Sequence, residues 1–184
     1  MIKTLLIVAG IGAVGAVAYG AYLASQHPIH DLTTDFDDPP QIVAGASASI
    51  KRKNPPEYTG AQTVGGSTVR AQQESLYPDI EPLILPAEGG GVFQAALSVL
   101  QSMEGFDVIA RDADAGTIEA THTSGFFRFV DDFVVRIRVD ISAANSTRID
   151  MRSKSRVGRS DLGANAARIR AVQAKLRDAV GGAD

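Results

Sequence analysis

All eight prolines of this 184-residue chain fall between Pro28 and Pro86, and none occurs in the last 98 residues. Proline fixes its own φ, lacks an amide N–H and is excluded from helix interiors and central strands. Regular structure is therefore expected to concentrate after residue 86, with an extended segment before it. Residues 44–72 are rich in Ala, Gly, Ser and Thr and read as a flexible spacer.

Behind the prolines the apolar pattern changes period. After Gly89, Gly90 and Gly91, the residues Phe93, Ala96, Leu97, Leu100 and Met103 share one helical face, and Gly105 ends the run. Four segments with strand character follow at 106–111, 117–123, 127–141 and 148–152, joined by short turns. In the third, Phe133, Val135, Ile137, Val139 and Ile141 alternate with Asp132, Val134, Arg136, Arg138 and Asp140. In the fourth, Ile149 and Met151 alternate with Arg148, Asp150 and Arg152. A last helix is predicted over 163–180, with Ile169, Val172, Leu176 and Val180 as its stripe. Short turns favour sequential antiparallel pairing, and two amphipathic helices suit the apolar face of that sheet. The opposite face becomes a lattice of arginines and carboxylates, joined by Glu119.

The N-terminal end carries a different signal. Residues 4–24 hold 21 residues without a charge, long enough as a helix to cross a hydrocarbon core of roughly 30 Å. A cleaved signal peptide has a shorter apolar run and a small-residue cleavage site, so retention as an anchor is the favoured expectation. Lys3 precedes the run, whereas Asp31, Asp35, Asp37 and Asp38 follow it, with no Lys or Arg before Lys51. The positive-inside rule then places the N-terminus in the cytoplasm and the domain in the periplasm, as a single-pass inner-membrane protein. Gly12, Ala16 and Gly20 form a small-residue ridge on which the helix can pack against itself or another membrane protein.

The expected architecture is α+β. It has a single N-terminal transmembrane helix (1–24), an acidic Pro/Gly/Ser-rich segment (25–75) and a globular domain (76–184). That domain holds a helix, a four-stranded antiparallel sheet and a C-terminal helix, with both helices on one face. Charge is split along the chain: residues 25–125 carry 5 Lys and Arg against 14 Asp and Glu, and residues 126–184 carry 12 against 7. The two parts either face each other within one fold or mark a polyanion site.

No cysteine is present, which excludes disulfides, thiolate catalysis and Cys-based metal sites. No P-loop, dinucleotide fingerprint, nucleophile elbow or H-E-x-x-H helix occurs. The most distinctive run spans residues 152–165, leaving a strand through glycines and hydroxyls and entering a helix. Arg136, Arg152, Ser155, Arg156, Gly158, Ser160, Asp161, Asn165 and Arg168 are its candidate anion-binding residues, since N–H groups at a helix start beside arginines suit a phosphate or carboxylate. In the structural alternative Asp161 is itself the anion, as helix cap, and the arginines pair with Asp131, Asp132, Asp140 and Asp150. His27, His30 and Asp31 with the following aspartates contain metal-ligand types but no closed set, so no metal or other cofactor is expected. His122 falls with Ile118 and Ala120 on the covered face, and Asp131 and Asp132 point to opposite faces, so neither makes an acid–base pair.

Several runs together resemble one bacterial family. They are residues 28–35, Asp38-Pro39-Pro40, Tyr77-Pro78-Asp79-Ile80, residues 129–137 and residues 152–168. The family they resemble is called domain of unknown function 1499. Gly105-Phe106 stands where that family often has Gly-Trp. The resemblance implies an envelope-associated protein, with relatives among plastid-targeted proteins, and a proline-rich segment packed partly along the domain. It implies no activity, cofactor or catalytic residue. The resulting expectation is a membrane-anchored, non-catalytic binding or accessory module. One alternative is a binder of an anionic small molecule or lipid headgroup at the arginine loop; another is a hydrolase depending on Asp132 or His122. Nothing in the pattern points to nucleic acid.

Overall fold

The computed structural model describes residues 29–47, 50–142 and 145–182. The long antiparallel meander forms as its alternation requires: β5 (Phe106–Asp112), β6 (Thr117–Thr123), β7 (Val130–Val139) and β8 (Thr147–Ser155), each paired with the next. Its apolar face carries Ile118, Ala120, Phe133, Val135, Ile137, Ile149 and Met151, all buried. Two helices cover that face. They are α2 (Gly89–Ser102), through Val92, Phe93, Ala96 and Leu100, and α3 (Ala164–Gly181), through Ile169, Val172 and Leu176. Helix α2 ends against Gly105, whose φ of 82° and whose Cα position, where a Cβ would lie 2.8 Å from the Thr123 carbonyl oxygen, both call for glycine.

The four-stranded expectation is corrected, because the sheet has six strands. The two additional strands come from the proline-rich part of the chain. β1 (Asp31–Thr33) lies against Arg152, Ser153 and Lys154, and β4 (Leu83–Leu85) against Thr147, Arg148 and Ile149. Both occupy the same outer edge of β8, end to end, because that strand's nine residues offer room for two partners of three. Three residues are too few to display alternation, and Pro82 and Pro86 bracket β4, so neither strand has a pattern of its own. Between them, β2 (Thr63–Val64) and β3 (Ser67–Thr68) form a small separate hairpin. It leads into α1 (Val69–Leu76), a third helix beyond the two expected. Thr68 caps α1 by accepting the Ala71 N–H at 3.1 Å. From α1, the Gln73 side chain accepts the Thr33 N–H and donates to the Thr33 carbonyl, so the open edge of β1 is paired by an amide instead of a strand.

The expected membrane helix is also corrected as a feature of this fold: among the described residues no helix is long and apolar enough to cross a membrane. Residues 4–24, with Gly12, Ala16 and Gly20, lie outside the described residues.

The proline-rich segment does not stand off the domain as a spacer. Residues 35–45 and 52–59 lie on the charged face of the sheet, and the sheet is thus covered on both sides, by helices on one and by irregular chain on the other. What holds that second layer is polar. The Glu119 carboxylate, 8% exposed, accepts the backbone N–H groups of Val43, Ala44 and Gly45 at 3.0, 2.9 and 3.1 Å, anchoring the short 3-10 turn Ala44–Ala46. Asn54 donates to the carbonyls of Ser155 and Gly158, and the N–H groups of Lys53 and Asn54 donate to the Arg156 carbonyl.

Candidate functional site

Alternation in β8 sends Arg148, Asp150, Arg152 and Lys154 to the charged face and Met151, Ser153 and Ser155 to the helix face. Register then decides which carboxylate each cation meets. At the β1 end, Asp31 pairs opposite Lys154, and its carboxylate is fully buried. It accepts Nε and Nη2 of Arg152 at 2.9 and 3.0 Å, Nζ of Lys154 at 2.8 Å, and both the N–H and hydroxyl of Thr59 at 3.0 Å. The remaining donors of the two cations go to carbonyls of the overlying segment, Arg152 to Pro40 and Pro56 and Lys154 to Glu57. Tyr58 lies under the guanidinium, its ring centroid 5.4 Å away. Burial alone would raise the Asp31 carboxyl, but Arg152 and Lys154 outweigh it and hold it below the ordinary carboxylate value.

Two further clusters share this face. Arg156 donates Nε and Nη2 to Asp132 Oδ1 at 2.9 and 2.6 Å, and Arg52 pairs with the other oxygen at 3.1 Å. Arg136, Arg138 and Arg148 converge on Asp35 and Asp150, with Asp38 joining Arg136 and Arg138. Asp150 is fully buried and the Asp35 side chain is 11% exposed. Among the described residues Asp140 pairs with no arginine, and instead accepts the Ser142 N–H and hydroxyl.

The helix side holds a fourth cluster. Arg168 donates to Asp131 at 2.9 Å, to Ser153 Oγ at 2.7 Å and to Asn165 Oδ1 at 2.6 Å, and its Nη2 lies 3.2 Å from Nδ1 of His122. Asn165 donates to the His30 carbonyl and to Ser155 Oγ. Asp161 accepts the N–H groups of Gly163 and Asn165, both at 2.9 Å, and so fills the anion position at the start of α3. Burial raises its carboxyl in spite of those bonds.

The nine residues nominated for an anion site are thus divided. Ser155, Asn165 and Arg168 meet on the helix side. Arg136, Arg152 and Arg156 lie on the other face, each in a different carboxylate cluster, while Gly158 and Ser160 belong to the surface loop and Asp161 to the turn before the N-cap Gly163. Asp31, Thr59, Asp35 and Arg52 complete these clusters, and the anion-site pattern in the sequence does not reach them. Their signal is faint: Asp31 and Asp35 read as an acidic stalk until β1 is known to lie beside β8. The constellation His122, Asp131 and Ser153 does not form a relay. Arg168 stands between the histidine and the serine, and the Ser153 hydroxyl donates to Asn165 at 2.6 Å. Among the described residues no group of three or more His, Asp or Glu is placed to hold a metal ion.

Comparison with known proteins bears on the same residues. The family model described as "Protein of unknown function (DUF1499)" matches residues 31–176, from β1 through most of α3. The chain belongs to the DUF1499 family. The matched range begins at Asp31 and takes in the segment over the charged face, as the ion-pair network requires of a single folding unit. No curated protein matches this DUF1499 chain. Among solved structures, "Crystal structure of Ara h 8.0201" aligns with 11% identity and a TM-score of 0.37, covering 52% of this chain and 94% of that one. The crystal structure of TTHA0849 from Thermus thermophilus aligns with 10% identity and a TM-score of 0.33, covering 56% and 96%. At such scores the likeness carries no argument about function.

Two histidines give this DUF1499 domain a defined acid response. Burial lowers His30, aided by Lys154, and burial lowers His122, aided by Arg168, both below the ordinary 6.5. In the window between the folded values and 6.5 the unfolded chain binds more protons, so stability rises with pH there. The melting temperature is therefore expected to fall as pH drops below 6.5, well above the range in which Asp31 protonates. A flat melting profile across that window would contradict the neutral assignment of both rings.

Proposed function

We propose that this DUF1499 protein is a non-catalytic binding or accessory module working at an envelope membrane, with its domain on the periplasmic side of the inner membrane. The observation that carries the reading is the commitment of its charged groups. The carboxylates of Asp31, Asp132 and Asp150 are buried and engaged by two or three cations each, beneath a layer of the protein's own chain. An acid or base that turns over substrate needs access to it and a proton that moves near working pH. Asp31 has neither. The membrane side of the reading is supported by the uncharged run at 4–24 and by the charge asymmetry around it.

A second reading, an anionic small molecule or lipid headgroup at the loop 152–163, is supported by one feature. Gly158 and Arg159 are exposed, and Arg159 has no carboxylate partner among the described residues.

Extraction of the full-length protein in mild detergent, followed by native mass spectrometry, separates the readings. A stoichiometric protein partner supports the accessory module, and a retained lipid or anionic metabolite lost in Arg159→Ala supports the second reading. Hydrolytic turnover that disappears in Asp132→Asn or His122→Ala would overturn both.

A further inference from the structure

The turn between β6 and β7 reads Ser124-Gly125-Phe126-Phe127-Arg128-Phe129, and its three aromatic rings point away from the protein. Phe126 is 88% exposed, Phe127 69% and Phe129 52%. The turn is closed by its own hydrogen bonds despite that exposure. The Ser124 N–H donates to the Phe129 carbonyl at 2.8 Å, the Phe129 N–H to Ser124 Oγ at 2.9 Å, and the Arg128 N–H to the Ser124 carbonyl at 3.2 Å. Phe126 meets Phe127 edge to face at 4.9 Å, and Phe127 stacks on Phe129 at 5.7 Å. Arg128 takes a φ of 55°, a left-handed conformation unusual for a residue with a side chain. Clustered exposed rings of this kind mark an interaction surface.

We infer that this phenylalanine-tipped hairpin is an interfacial membrane-docking element, its rings seated at the headgroup–acyl boundary and its flanking cations on anionic headgroups.

Two observations select a lipid surface as the occupant. The first is where the chain enters the fold. β1 pairs with the end of β8, the Ser155 N–H donates to the His30 carbonyl, and Asp131 at the start of β7 lies opposite Ser155. Residue 29 therefore emerges at the same end of the sheet as the hairpin, and the uncharged run of the sequence stops five residues before it. The second is charge. A groove of about 380 Å³ beside the tip is lined by Ile50, Lys51, Arg128, Phe129 and Arg156. Around it, Lys51, Lys53, Arg128 and Arg159 are exposed, with no carboxylate partner among the described residues. The exposed carboxylates at this end are Glu104 and Asp107, at the far edge of the sheet, and Glu57, whose carbonyl accepts from Lys154 on the charged face; none pairs with those four cations among the described residues. At the opposite end of β7, roughly 30 Å away by strand rise, lie Asp112, Asp114 and Asp140. Aromatic rings backed by cations are the composition that partitions to an anionic bilayer surface.

The inference rests on the membrane side of the proposed function, and one experiment keeps their failures apart. The chain contains no tryptophan, so Phe127→Trp introduces a single reporter at an exposed position. Ile141→Trp, at a residue 101% exposed beyond the other end of β7, is the control. Each full-length variant is mixed with phosphatidylcholine–phosphatidylglycerol vesicles whose acyl chains are brominated, and flotation is measured in parallel. The expected result is a blue shift and loss of emission for Phe127→Trp, as for a ring roughly 5–10 Å into the boundary. Ile141→Trp should be unaffected, and Lys51→Glu with Arg128→Glu should diminish the loss at Phe127→Trp. Protein that floats while the Phe127→Trp emission stays that of a ring in water overturns the hairpin inference alone. Protein that does not float overturns both. Emission already blue-shifted before vesicles are added, in a species of doubled mass, would mean that a second copy covers the tip and would likewise overturn it.

Discussion

Asp31→Asn is expected to lower the unfolding free energy by on the order of 3–5 kcal/mol, a large part of the roughly 5–15 kcal/mol that typically holds a domain together. The substitution preserves shape and removes one charge. It leaves Arg152 and Lys154, both fully buried, without the carboxylate that neutralises them. Both are sealed from solvent, and their contacts besides Asp31 are the neutral carbonyls of Pro40, Pro56 and Glu57, which do not compensate a full charge. The loss should appear as a lower denaturant midpoint with unchanged slope. Asp79→Asn, which breaks a surface pair with Arg170 whose members are each about half exposed, should cost less than about 1 kcal/mol. If the two variants unfold alike, the Asp31 cluster is not the buried centre described above.

Arg168→Met tests the helix side, with an expected destabilisation again of about 3–5 kcal/mol. Methionine retains the aliphatic bulk but leaves the Asp131 carboxylate without its cation and removes donors from Ser153 and Asn165. A second readout separates this from generic damage. Burial is the first cause of the low His122 value and is unchanged by the substitution, but Arg168 is the cation that depresses it further and Asp131 the carboxylate that raises it. In Arg168→Met the His122 ring should therefore titrate at higher pH by NMR, in protein still folded. An unshifted His122 would mean that the guanidinium does not sit against the ring.

These two clusters show how far local pattern reaches. The meander was legible because β7 and β8 are long enough for alternation to declare itself, with Phe133, Val135 and Ile137 on one side and Asp132, Arg136 and Arg138 on the other. The helices were legible for the same reason. The charged face was identified correctly in composition, yet its exposure was not, because the cover is made of residues with no period. Nothing in Pro39-Pro40 or Pro55-Pro56 announces that the carbonyls of Pro40 and Pro56 accept from Arg152 across more than 90 positions of chain. The arginine loop shows a converse limit. Arg152, Arg156 and Arg168 look like one patch within seventeen residues of sequence, but strand alternation and the turn into α3 send them to opposite faces.

By itself, the sequence determined the α+β class, the antiparallel order of β5 to β8, the two helices that cover them and the family, since these follow from periodicity and from runs of specific residues. Only the tertiary structure decided that the sheet has six strands, that the proline-rich segment is its second layer, and which carboxylate answers each arginine. Those outcomes depend on pairings between residues distant in sequence, such as Leu83 with Ile149 and Asp31 with Arg152. Hydrogen bonding and charge neutralisation at that separation leave no local trace, because each partner alone is indistinguishable from a solvated surface group.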